Sequence, residues 1–141
     1  MLEAHPGVAT LMSHLTAEDP LALVIRGHLY VENALIKKIA DALTDPTAFD
    51  SARLHFPTKV NLAVALGTVD RADVRAFIAL NGLRVKFAHD VDTKLTDQHE
   101  LDLYNALSRR QRGFVDKLRK PQMTLLVRLR SDIAGVIRTL S

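Results

Sequence analysis

The chain has no cysteine and no tryptophan, and aromatic residues make up only 5% of its 141 positions. Without thiols it has no disulfide, no thiolate zinc site and no cysteine nucleophile, and a reducing compartment suits it. Scarce aromatics leave the core to aliphatic side chains, which a hydrophobic content of 48% supplies. No uncharged run approaches the roughly 20 apolar residues of a membrane span. The opening MLEAHPGVATLMSHL lacks the basic-then-apolar order of a secretory leader. Also missing are a P-loop, a Gly-x-Gly-x-x-Gly turn, a Gly-x-Ser-x-Gly elbow and a His-Glu-x-x-His pair. These absences predict a soluble, cytoplasmic protein of one domain over residues 1–141, with no metal, no cofactor and no membrane contact.

What is present begins with an uneven charge. Residues 1–107 carry 10 basic against 14 acidic side chains (net −4), whereas residues 108–141 carry 9 against 2 (net +7). The basic C-terminal extension, from about residue 109, presents Arg109, Arg110, Arg112, Lys117, Arg119 and Lys120. Such a block suits a polyanion such as RNA or DNA. It equally suits a solvated helix face or a dock for the acidic N-terminal part.

Helical periodicity runs almost throughout. A short helix is expected at about 7–16. A long one begins at Pro20, where a first-turn proline is tolerated, and its apolar stripe from Leu21 to Leu43 recurs at i+3 and i+4. Turn residues in 44–56 end it. Residues 57–67 open with proline and close with glycine, the order expected of a helix. Asp70 or Thr68 would cap a helix over 71–88, and Thr96 one over 97–112 that Gly113 interrupts. A last helix follows Pro121. No strand alternation competes. The pattern predicts an all-α antiparallel bundle of about six helices.

Two features point to a site. LNGLRVKFAHD (80–90) crowds Arg84, Lys86, His89 and Asp90 into one helix end. With 12 Arg and 6 His in the chain, an Arg-x4-His pair is commonplace by composition. On a regular helix the two lie about 140° apart, so one copy makes a poor pair and a two-fold dimer a better one. Glu32 stands inside the apolar stripe of the long helix and calls for a partner, for which Arg84 is the choice. Asn81, one turn before Arg84, reads equally well as a helix-to-helix hydrogen bond. Asp90 and Asp92 read as a solvated loop, with metal binding a minor alternative.

RGHLYVENALIKKIADAL (26–43), FPTKVNLAVALG (56–67) and LNGLRVKFAHD, taken in that order and spacing, resemble the mannitol-repressor-like family, a branch of the HEPN superfamily. The similarity spans about residues 18–108. The resemblance implies a helical bundle that dimerises through the helices bearing the motif. It implies a metal-independent endoribonuclease, acting as toxin, defence factor or RNA processor, in which His89 is the acid/base and Arg84 clamps the phosphate. Glu32, by its place in the apolar stripe, would orient Arg84, with Asn81, Lys86 and Asp90 as further supporting residues. Imidazole exchanges protons near neutral pH, and guanidinium offers a charged fork to phosphate oxygens. Val85 stands where the active ribonucleases often carry Asn, which turns the resemblance toward the family's non-catalytic members. Those are dimeric regulators or interaction modules with a protein partner, such as an antitoxin or a transcriptional regulator's target.

Overall fold

The structure, a computed structural model, describes residues 19–90 and 92–140. The helix expected at 7–16 lies outside them. Among the described residues there are six α-helices and three short 3-10 turns, with no strand. The helices are α1 (Pro20–Ala42), α2 (Phe56–Ala65), α3 (Val74–His89), α4 (Asp97–Ala106), α5 (Arg109–Leu118) and α6 (Leu125–Arg138). The class is the all-α bundle that the periodicity predicts.

Helix α1 starts where its sequence says it should. Asp19 accepts a hydrogen bond from the Leu21 amide at 3.0 Å, and Pro20 occupies the first turn. Its buried stripe (Leu23, Val24, Gly27, His28, Val31, Leu35, Ile39) packs on α2, α3 and α6. The His28 ring meets Phe56 while Glu32 meets Lys59. Both numbers rise together, so α2 runs in the direction of α1. The connection over residues 43–55, which carries two 3-10 turns, brings the chain back. His28 faces Asn81, and Leu21 shares a depression with Phe87, so α3 runs antiparallel to α1. Gly67, at φ 75°, turns the chain after α2, where an L side chain would be strained.

The C-terminal helices depart from expectation in one place. The helix predicted over 97–112 is two helices, broken at Leu107, and Gly113 lies inside the second. Ser108 accepts from the Gln111 amide, and the Gln111 side chain accepts from the Ser108 amide, a reciprocal cap that starts α5. The spacing Ser-x-x-Gln was readable; the glycine was the weaker breaker. Thr96 caps α4 as predicted, here with His99 closing the reciprocal bond. Helix α5 lies close on α6: a Cβ added at Gly135 would stand 2.6 Å from Val115 Cγ2 and 3.0 Å from the Gln111 carbonyl oxygen. A side chain at that position would prise the two helices apart.

Candidate functional site

Helix α3 stays regular to its end, where the Asp90 amide still bonds the Lys86 carbonyl at 3.2 Å. Arg84 and His89 are therefore separated by about 140° around the helix and about 7.5 Å along it. Both are exposed, and among the described residues neither makes a hydrogen bond or ion pair. One chain does not bring them onto one face.

Glu32 does not hold Arg84. Lys59 Nζ donates to Glu32 Oε2 at 3.1 Å, with the Lys59 side chain only 7% exposed. The physical reason lies in α2: Phe56, Lys59, Val60 and Ala63 recur at helical spacing on its buried face. That spacing swings the Lys59 ammonium toward α1, where Glu32 is the acid within reach. The spacing was visible in the sequence, but the choice of partner fell on Arg84.

Asn81 is the helix-to-helix hydrogen bond. The buried His28 donates through Nε2 to Asn81 Oδ1 at 3.0 Å, and its ring packs on Phe56 with centroids 4.5 Å apart. Burial pushes the His28 pKa down, and the nearby Arg84 charge adds to that, so the ring sits neutral between α1 and α3. Lys86 is exposed. Asp90 accepts from the Asp92 amide at 2.9 Å and shapes the loop after α3.

A feature that sequence reasoning missed is an apolar surface over the same two helices. Of the five exposed large hydrophobic side chains among the described residues, Ile25 and Leu29 lie on α1 and Ile78 and Val85 on α3; Leu101 is elsewhere. Val85 and His89 follow Ile78 by seven and eleven residues, which places all three within about 20° of one line on α3. His89 thus belongs to the apolar stripe. Ile25 and Leu29 lie about 60° and 100° around α1 from His28, on the opposite side of His28 from the centre of the buried stripe. The signal was present in the sequence as an α1 pattern too wide for one core face.

The basic segment divides sharply. Arg119 makes a two-pronged bond to Glu100, 3.1 Å on each side, and lies 3.6 Å from Asp132. Arg128 reaches Asp97 at 2.7 Å and Glu100 at 3.5 Å. Arg112 donates to the Tyr104 and Asn105 carbonyls, and both Arg112 and Arg119 lie over the Tyr104 ring. Arg110 pairs with the buried Asp73 yet keeps 61% of its side chain exposed. Arg110, Arg119 and Arg128 thus dock on acids of the N-terminal part, and Arg112 on its backbone. Arg109, Lys117 and Lys120 remain exposed and outside any ion pair among the described residues.

Beneath Arg119 sits a carboxyl pair. Burial pushes the Asp132 pKa up to about 10, helped by a hydrogen bond to Glu100 and by its charge. Burial also pushes Glu100 up, but the hydrogen bonds from Asp132 and Arg119 outweigh it and hold Glu100 below the usual range. Asp132 is fully buried and accepts no hydrogen bond, as befits a carboxyl that burial holds neutral.

Among the described residues no group of three His, Asp or Glu is placed to hold a metal ion. No helix among them is long and apolar enough to cross a membrane. No family model matches the chain, and no curated protein or solved structure matches it either.

Proposed function

We propose that the chain is a dimeric interaction module of the mannitol-repressor-like kind, which pairs with a second copy through the α1/α3 face and regulates through a protein partner. The observation that carries this reading is the placement of Ile25, Leu29, Ile78 and Val85 on two packed, antiparallel helices. Exposed apolar groups gathered on adjacent elements mark an association surface. A two-fold there is self-complementary, since each copy supplies the same patch. Val85, which departs from the ribonuclease pattern, contributes to contact in this reading. A cytoplasmic setting suits a chain without cysteine.

A second reading is the metal-independent ribonuclease with RNA as substrate, and one observation favours it. Arg84 is exposed and, among the described residues, outside any ion pair, which leaves its guanidinium available to a phosphate. In a two-fold dimer the partner subunit's His89 would approach the Arg84 side of α3. There the imidazole would take a proton from the 2′-hydroxyl or give one to the leaving oxygen, and the guanidinium would balance charge on the phosphoryl group.

Cleavage of a labelled single-stranded RNA in EDTA, by wild type and by His89→Ala, separates the two readings. The module reading predicts intact RNA in both. Cleavage that disappears in the variant would make the ribonuclease the function.

A further inference from the structure

A second surface carries chemistry that neither reading uses. Along α5, the exposed Arg109, Arg110 and Lys117 and the half-buried Phe114 fall on one side, since offsets of one, five and eight residues place them within about 140° of arc. With Arg138 from the last turn of α6 they line a depression of about 510 Å³. The Arg138 guanidinium lies 4.8 Å from the centre of the Phe114 ring. No acidic side chain is in the lining. Two acids adjoin the stripe and both have partners: Asp73 accepts from Arg110, and Asp116, within about 20° of the Arg109 line on α5, accepts from Tyr104.

We infer that this α5/α6 depression is a binding site for single-stranded nucleic acid. Arg109 and Lys117 are about 12 Å apart along the helix, room for about two phosphates of an extended strand. Arg138 supplies a further cation between them and the α6 end. The Phe114–Arg138 stack is a flat platform, the feature by which single-strand sites hold a base without reading its identity. An acidic peptide would use the cations and leave the platform idle. A duplex would keep its bases paired and stacked on one another and leave the platform idle.

The site stands apart from Arg84 and His89. Arg110 is tied to Asp73 at the start of α3, and His89 ends that helix about 22 Å further on. The inference therefore holds or fails independently of dimerisation and of catalysis.

The test is fluorescence anisotropy of a short labelled single-stranded RNA against the full chain across a salt series, with single-stranded DNA of the same sequence beside it. About three free cations predict a log–log salt slope near −2, so that Kd rises roughly twentyfold between about 50 and 200 mM salt. Lys117→Ala and Arg138→Ala each weaken binding and reduce the slope by about 0.7. Phe114→Leu, which keeps an apolar side chain at the margin of the core, weakens binding roughly fivefold or more and leaves the slope alone. Lys37→Ala, an exposed cation on α1, changes neither. Circular dichroism confirms that each variant is folded. Binding of RNA and DNA alike, with this variant pattern, supports the site. Three results would overturn it: no binding at low salt, equal loss with Lys37→Ala, or tighter binding of a duplex or a polyglutamate peptide with the same variant dependence.

Discussion

Lys59 donates to Glu32 across the α1/α2 contact at 3.1 Å, and with that the carboxylate in the apolar stripe has its partner. Arg84, one helix away, is left to solvent. The ion pair therefore contributes to the fold, and the arginine to whatever meets the surface.

The two roles separate in a stability measurement. Glu32→Ala leaves a nearly buried ammonium without its acceptor, and urea unfolding should show a loss of about 2–3 kcal/mol. Arg84→Ala should stay within about 0.5 kcal/mol of wild type, as exposed substitutions do. A large loss from Arg84→Ala would mean that Arg84 is held in the fold after all.

The His28–Asn81 bond between α1 and α3 gives a second test. Asn81→Ala strands the buried imidazole donor and should cost about 1–3 kcal/mol. Because the folded pKa of His28 is depressed, its contribution is whole above the unfolded value near 6.5 and is lost as pH falls through the folded value. A His28→Phe variant should flatten the acid limb of the stability profile below pH 6.5. An unchanged acid limb would show that His28 is not buried as a neutral ring.

Asp132 predicts the opposite slope. Folding keeps it protonated while the unfolded chain ionises it near 3.8, so its contribution is whole below that value and declines as pH rises to about 10. Glu100, held low, works the other way: its contribution is whole above the usual carboxylate range and is lost on acidification. Asp132→Asn keeps a neutral donor beside Glu100 and removes the ionisation. It should raise the urea midpoint at pH 8 and flatten the decline between pH 5 and pH 9. A lower midpoint at pH 8 would mean that Asp132 is an anion paired with Arg119.

The helices and their caps were legible because the signals are local. Pro20 after Asp19, the Leu21–Leu43 stripe, Thr96 and Gly67 each act within a few residues of where they stand. The one boundary misread, at Ser108 rather than Gly113, was also local: a reciprocal Ser108–Gln111 cap starts a helix more firmly than a lone glycine ends one. The site was less legible because its chemistry is a matter of partners across helices. Glu32 announced that it needed a cation, but only the parallel course of α2 beside α1 selects Lys59. The basic run looked uniform, yet Glu100 takes both prongs of Arg119 and Asp97 takes Arg128. That Arg138 from the end of α6 completes a stripe on α5 is not a statement that spacing can make.

The central claim is that the α1/α3 face pairs two copies, and sedimentation equilibrium tests it most directly. Wild type should become a dimer by about 100 µM, well above a Kd in the micromolar range, which needs only about 8 kcal/mol. Val85→Asp, which sets a charge in the middle of the apolar stripe, should sediment as a monomer with unchanged helicity. A wild-type monomer across that range, or a Val85→Asp dimer as tight as wild type, would contradict the account.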